Sequence, residues 1–272
     1  MLEHETSAVG YFAADREWAD ELSRLRILEQ IGDPQTTQYL TAVGIGEGWR
    51  CLEVGAGAGS IVRWLSDQVG PAGRVVAADL DPRFLGGISA GNVEVRRCDI
   101  TRDPLEPAKY DLIHARALLT HIGEPLAVLQ RLVDALRPGG WLVVEDPDYE
   151  GFRATDDRHT LSSAFDACAG ARITFMAQTG VMNMRYGNML PIDMGRLGLI
   201  DVGNQANAFY EHGGGPISRF VNQSFAPIDA AMVAQGVIVE SVTGDAQRAL
   251  DDPSFIYRSA LMVAGWGRKP GH

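Results

Sequence analysis

The chain is short of positive charge, of cysteine and of long apolar runs, and each shortage excludes something. Twenty-four Lys and Arg face 35 Asp and Glu over 272 residues, a formal net charge of −11 at pH 7. So acidic a chain lacks the general attraction to phosphate backbones on which non-specific nucleic-acid binding rests, and no nucleic-acid partner is expected. The three cysteines, Cys51, Cys98 and Cys168, are odd in number and widely spaced. They make neither a disulfide framework nor a metal-ligand pattern, and they suit a reducing cytoplasm. No pair among His4, His114, His121, His159, His212 and His272 has metal-ligand spacing, so no metal is expected. No apolar run approaches the roughly 18 residues needed to span a bilayer, and MLEHETSAVGYF carries no apolar signal core. The expectation is a cytoplasmic protein with no membrane contact.

What is present alternates between two periods. Arg50–Val54, Arg74–Asp79, Asn92–Arg97, Tyr110–Ala115 and Gly140–Glu145 have strand length and are rich in Val, Ile and Leu. Between them, Ile61, Trp64, Leu65 and Val69 recur at helical steps, as do Leu126, Leu129, Leu132, Val133 and Leu136. Arg137-Pro138-Gly139-Gly140 reads as the stop of the second helix. Strand and helix in alternation mean parallel strands with right-handed crossovers, a doubly wound α/β sheet.

Ahead of this unit, Trp18, Leu22, Leu25, Leu28 and Ile31 share one face of a helix within 13–43. After Pro147 the expectation is a helix over 157–186, another over 188–197 and a strand over 199–210. A helical or irregular stretch over 216–250, broken at Gly236 and Gly244, leads to a final strand, Phe255–Trp266. The division read from this is an N-terminal helical cap (1–44), a core (45–147), lid helices with a sixth strand (148–254) and the closing strand of the core sheet (255–272).

The most informative stretch is Leu52-Glu53-Val54-Gly55-Ala56-Gly57-Ala58-Gly59-Ser60, which leaves a strand and enters a helix. Glycines there allow positive φ and close approach of a ligand, and the helix start offers free N–H groups. A plain tight turn is the alternative. A dinucleotide fingerprint wants a third glycine or alanine where Ser60 stands, whereas Gly59 gives G-x-G-x-G. Asp79 ends the next strand, placed to accept both hydroxyl hydrogens of a ribose, which suits NAD as well as other adenosine ligands. Asp99 ends the third strand, where it fits an adenine amino group with Ile100 against the ring. Its other reading is a helix cap or turn residue.

With those residues in view, the sequence resembles the class I S-adenosylmethionine-dependent methyltransferases. LEVGAGAGS, VVAADLDP, RRCDI, YDLIHARALLTHI and LRPGGWLVVED fall in that family's order and spacing from about Trp49 to Asp146. The ADREW segment before the core looks like the methyltransferases common in actinomycete secondary metabolism. The resemblance implies a Rossmann-like seven-stranded sheet of order 3-2-1-4-5-7-6 with the last strand antiparallel. It also implies that Gly55, Ala56 and Gly57 line the donor's methionine moiety with Glu53 supporting the loop. Asp79 would bind the ribose, Leu80, Asp99 and Ile100 would flank the adenine, and the backbone around Ala115 and Arg116 would reach the methionine end. Arg116 reads equally as a guanidinium near a carboxylate ligand or as a salt bridge at the sheet edge.

Methyl transfer from a sulfonium needs alignment more than it needs acid–base groups. A base is required only if the acceptor must lose a proton. His121 follows the fourth strand, near where the methyl would be presented, and is the candidate base; a structural or cofactor-supporting role is the larger prospect. His114 reads as a satisfied core histidine, and His159 and His212 as surface groups of the lid. Tyr11 and Trp18 are placed to close over the donor, though packing of that helix onto the core explains Trp18 at least as well. Phe152, Phe165, Phe175, Met176, Met182, Met184, Tyr186, Phe209, Tyr210, Phe220 and Phe225 supply an apolar lid that suits a flat small-molecule acceptor, most of them forming the lid's own core. The expected activity is methylation of a small, largely apolar or aromatic metabolite, on oxygen first and on carbon or nitrogen otherwise, in natural-product biosynthesis. A nicotinamide-dependent oxidoreductase is the second reading, weakened by Ser60 and by the lack of a Tyr-x-x-x-Lys pair. A third is a cofactor-binding protein with a cyclase or other non-methylating role. A homodimer stays open.

Overall fold

Runs that are apolar on both faces belong in the middle of a sheet covered twice, and this sheet is covered on both sides. The computed structural model describes residues 17–271, so Tyr11 lies outside the described residues. In chain order the elements are α1 (Trp18–Ala42), β1 (Arg50–Val54), α2 (Ser60–Val69), β2 (Arg74–Asp79), β3 (Val93–Arg97), β4 (Tyr110–Arg116), α3 (Pro125–Ala135) and β5 (Leu136–Asp148). There follow β6 (Arg153–Ala154), α4 (Ser162–Thr179), α5 (Tyr186–Arg196), β7 (Ile200–Asn207), β8 (Tyr210–His212), α6 (Pro216–Ala234), α7 (Glu240–Asp251), β9 (Ile256–Arg258) and β10 (Leu261–Arg268).

Seven strands form the main sheet in the order β3-β2-β1-β4-β5-β10-β7. The first five are mutually parallel, and β10 runs antiparallel to both β5 and β7. This is the order expected from the sequence, with β7 as sixth strand and β10 as seventh. Alternate residues separate two cores. Leu52, Val54, Val76, Ala78, Ile113, Leu142 and Val144 point to the side where α3 and α5 lie. Cys51, Val75, Ala77, Leu112 and Val143 point to the side of α1 and α2. Val128, Leu129, Leu132 and Val133 of α3 are all buried, and each such side chain stabilises the sheet face by about 1.5–3 kcal/mol.

Three sequence expectations change. The run Phe255–Trp266 is not one strand. Ile256–Arg258 pairs with β6 and β8 in a separate three-stranded sheet, and only Leu261–Arg268 closes the main sheet. The break falls at Ser259, which exchanges hydrogen bonds with Phe209: Ser259 N–H donates to the Phe209 carbonyl at 2.8 Å and Phe209 N–H donates to Ser259 Oγ at 2.9 Å. An apolar run continuous across Ser259 and Ala260 conceals such a change of sheet. The helix expected over 157–186 is shorter, Ser162–Thr179, and stops at Gly180 in the left-handed conformation (φ 67°). Gly236 does interrupt the later helical stretch, but Gly244 lies inside α7.

α4, α6, α7 and the small sheet enclose a core of their own, built on Phe152, Phe165, Phe175, Met176, Met182, Met184 and Phe225. Tyr186 on α5 joins the main core instead. Phe209 and Tyr210 are exposed.

Candidate functional site

The glycine turn is where β1 stops and α2 starts, and its conformation uses what glycine permits. Gly55, Gly57 and Gly59 all have positive φ, and a Cβ on Gly59 would lie 2.7 Å from Ile88 Cδ1. Beside the turn, Asp79 closes β2. One of its oxygens accepts the Gly57 N–H at 2.8 Å and the other the Asp81 N–H at 2.8 Å. Burial pushes this carboxyl up while those N–H groups oppose the shift. Leu80 next to it is half exposed, and the end of β3 is bonded to Asp79 through Cys98 N–H.

Asp99 behaves as a turn residue here. Its carboxylate accepts the Thr101 hydroxyl at 2.6 Å and the Thr101 N–H at 3.0 Å, and Arg102 pairs with it at 2.7 Å. The Thr101 hydroxyl is the main reason that its pKa is held below the usual carboxylate value. Ile100 and Ala115 are buried in the sheet core. After Arg116 the chain turns through Ala117, whose φ of 52° is a left-handed conformation for a residue with a side chain, pinned by its N–H to the Glu145 carbonyl. The 3-10 turn Leu119–His121 follows. Asp146 receives its first two N–H groups, from Leu119 at 3.3 Å and Thr120 at 3.0 Å.

α1 lies across this strand-end region, and it buries polar groups where apolar ones were expected. Glu21, Arg24, Glu29 and Thr36 are buried with Tyr39 and Leu40, whereas Leu22, Leu25, Leu28 and Ile31 are half-buried and Trp18 is exposed against Phe84. The reason is the surface beneath: as far as Thr36, α1 covers a polar turn, and only at Tyr39 and Leu40 does it reach the apolar sheet face. Glu29 accepts the Ser60 N–H at 2.9 Å, so a carboxylate meets the start of α2, where the helix dipole favours it. Ser60 Oγ donates to Asp33 at 3.1 Å, and Arg116 donates to Asp33 at 2.8 Å and to Thr36 Oγ1 at 2.7 Å. Thr36 in turn donates to Glu145 at 2.6 Å.

Glu53, Gly55, Ala56, Gly57 and Arg116 come together on one cleft of about 40 Å³ between the glycine turn and α1, with Leu25, Leu28 and Glu29 opposite. Asp79 joins them through Gly57. Asp99 and Ile100 both follow β3, one strand beyond Asp79 at the same end of the sheet, and His121, in the turn after β4, is not among the residues lining the cleft. Burial and the Arg24 charge bring the His121 imidazole down to about 4. Glu29, Asp33, Thr36 and Glu145 were not singled out in the sequence, where Ser60 counts only against a dinucleotide fingerprint. On α1 the spacing 29, 33, 36 marks a polar stripe beside the apolar one, and that stripe was the available signal. Among the described residues no group of three His, Cys, Asp or Glu stands as a metal-ligand set, and no helix is long and apolar enough to cross a membrane.

The residues fit an adenosine-bearing sulfonium in kind: a side-chain-free turn, a carboxylate at the end of β2 and further carboxylates at the turn. They do not yet leave it room, since small-molecule sites run to about 300 Å³ or more.

Comparison with known proteins bears on the same residues. The family model described as a methyltransferase domain matches residues 12–179. A methyltransferase of Strobilurus tenacellus, str2, is 34% identical over 121 residues, covering 43% of this chain and 42% of its own length. A ubiquinone biosynthesis O-methyltransferase of Leptothrix cholodnii is 28% identical over 133 residues, covering 46% and 55%. The chain thus spans about half the length of the curated relatives it matches. Among solved structures, a phosphoethanolamine N-methyltransferase 2 of Haemonchus contortus, in complex with S-adenosylhomocysteine, superposes with a TM-score of 0.58 at 16% identity, over 95% of this chain and 60% of that one. A methyltransferase from Bacillus halodurans gives 0.57 at 16% identity, over 86% and 98%. The glycine turn, the strand order and a family match over more than half of the sequence agree, and the chain belongs to the methyltransferase-domain family.

Proposed function

We propose that this protein transfers a methyl group from S-adenosylmethionine to a small aromatic or otherwise apolar acceptor, with oxygen as the first choice of methylated atom. The observation that carries the donor assignment is Asp79 hydrogen-bonded to the positive-φ Gly57 across the ends of β1 and β2, inside a methyltransferase-domain match. When bound, the donor supplies a methyl group already activated by its sulfonium, so the chain has to bind, align and exclude water. Asp79 is set to exchange its N–H partners for ribose hydroxyls. Gly55, Ala56 and Gly57 let the donor's amino-acid end approach the backbone, and Glu53 lies beneath them. Leu80, Asp99 and Ile100 border the place for the adenine, and Ala115 and Arg116 the methionine end. Filling the cleft requires α1 to lift from the turn.

The acceptor side is beyond β4, where α1, α6 and the Leu119–His121 turn meet. The Arg24 guanidinium lies 5.6 Å over the Phe220 ring there, and Tyr149 and Phe225 form an edge-to-face pair at 5.4 Å. Most lid aromatics are buried in the lid's own core, so the acceptor wall rests on those only partly buried against it, Phe220 first. A His121 held near 4 is neutral at physiological pH and a weak base. That favours acceptors whose oxygen ionises readily, such as phenols, over aliphatic alcohols. The names of the relatives from Strobilurus and Leptothrix are in keeping with this reading, and with a place in natural-product or quinone-type chemistry.

Isothermal titration with S-adenosylmethionine and with NAD tests the donor, and chromatographic detection of S-adenosylhomocysteine over a panel of phenols tests transfer. Heat with NAD alone would overturn the reading. Donor binding without product over the whole panel would move it to the non-methylating alternative.

A further inference from the structure

Three side chains on one face of the sheet, none of them part of the glycine turn's backbone, form a continuous buried link from that turn to α1. His114 on β4 stands beside Glu53 of β1 in register, and its Nδ1 lies 2.7 Å from Glu53 Oε2. Its Nε2 lies 3.1 Å from Glu145 Oε1 on β5. All three are buried, with His114 fully inaccessible. The Glu145 oxygen also accepts Thr36 Oγ1, and Thr36 accepts from Arg116, which holds Asp33. We propose that His114 is a positioning residue for the donor site: it fixes Glu53 beneath the glycine turn and, through Glu145, Thr36 and Arg116, clamps α1 over that turn. The donor half of this inference rests on the function proposed above; the clamp on α1 does not.

The geometry requires a particular protonation state. Both ring nitrogens face carboxylate oxygens, and only an imidazolium donates on both sides. A neutral ring would turn a lone pair toward one buried carboxylate. Burial alone would lower the pKa of His114, but the two carboxylates outweigh it and raise it to about 9. Burial pushes Glu53 up and the His114 charge opposes that shift, so the imidazolium is what holds this carboxylate ionised, while Cys51, pushed up chiefly by burial, stays a neutral thiol. Tyr39 of α1, raised by burial and by Glu145, stays a neutral phenol that accepts the Asn207 amide of β7 at 2.6 Å. Asp33 and Glu29 add negative charge from α1 and Arg116 adds positive charge from β4. With His114 charged, His114, Arg116 and Arg26 stand among Glu53, Glu145, Asp33 and Glu29; with His114 neutral only the two arginines do, and the buried Glu53 and Glu145 have no cation between them.

Thr36 is the link to break, because it touches neither the turn nor the acceptor side. Hydrogen exchange of the ligand-free full chain and titration with S-adenosylmethionine are compared for wild type, Thr36→Ser, Thr36→Val and His114→Asn. Thr36→Val is expected to speed exchange of α1 amides by about tenfold and, because the donor enters only as α1 lifts, to tighten donor binding by about tenfold, the equivalent of one hydrogen bond to a charged group. Thr36→Ser keeps the hydroxyl and behaves as wild type. Corrected for intrinsic exchange, the protection of α1 amides in wild type holds through neutral pH and declines as pH rises through about 9, whereas in His114→Asn it is already lower at pH 7 and lacks the decline. Should His114→Asn not fold, the Thr36 pair decides alone. A folded Thr36→Val with wild-type exchange and affinity overturns the proposal and leaves the donor reading standing. Faster α1 exchange in Thr36→Val while even wild type ignores S-adenosylmethionine supports the clamp and removes the donor.

Discussion

Arg172 on α4 and Asp229 on α6 meet through two parallel hydrogen bonds of 2.7 Å, with both side chains almost wholly buried. The pair joins two of the helices that enclose the second apolar core, and the Arg172 guanidinium also lies 5.1 Å over the Phe225 ring. Removing one partner leaves a charge that water cannot reach. Asp229→Ala is therefore expected to cost about 3–5 kcal/mol, while the apolar pair Arg172→Met with Asp229→Leu stays within about 2 kcal/mol of wild type. Urea unfolding of the three proteins checks both values. Equal losses in the single and double variants would show that the lid depends on the ion pair itself and not on filled volume.

On the proposed reading, Asp79 is the group on which donor affinity depends most directly. Hydrogen bonds to a charged partner contribute about 1.5–3 kcal/mol, so Asp79→Ala should weaken S-adenosylmethionine about 10- to 100-fold in a titration. Asp79→Asn retains one acceptor for the Gly57 N–H and should fall between. An unchanged affinity in Asp79→Ala would place the nucleoside elsewhere.

His121 gives the stability an acid limb. Its folded pKa, about 4, lies below the ordinary 6.5, so the contribution is complete above pH 6.5 and is lost as pH falls toward 4, by up to about 3 kcal/mol. Asp146 works the other way. Burial raises it to about 7, so its contribution falls as pH rises from about 4 to 7. Comparing His121→Gln with wild type at each pH removes the Asp146 effect, and the variant should gain on wild type between pH 6.5 and 4.5 in urea unfolding. A constant difference over that range would contradict the neutral assignment.

Gly187 lets α5 lie directly on the end of β5. A Cβ there would meet the Asp146 carbonyl at 2.6 Å and Pro147 C at 3.0 Å, and backbone does not give way as a side-chain tip does. Gly187→Ala should cost about 1–3 kcal/mol. It should also loosen the Leu119–His121 turn, which depends on Asp146 and on Thr120's hydroxyl bond to the Asn183 carbonyl at 2.7 Å. Thermal unfolding measures the first effect and hydrogen exchange at 119–121 the second.

What could be read from the residues follows from short-range physics. Apolar runs such as Arg74–Asp79 must lie in a doubly covered sheet, and glycines at 55, 57 and 59 must allow positive φ. Neither statement needs to know the neighbours, and the strand order then follows from the family resemblance carried by the same motifs. The residues alone do not show which polar groups meet when they are distant in sequence. Thr36 and Glu145 stand 109 positions apart and Asn207 and Tyr39 168 apart. A buried imidazole looks like any core histidine until two carboxylates arrive from other strands. The split at Ser259 and the polar underside of α1 are of the same kind. Local pattern records how apolar a segment is, but which sheet it joins and which surface it covers are set by pairing energies between segments that only the folded chain brings together.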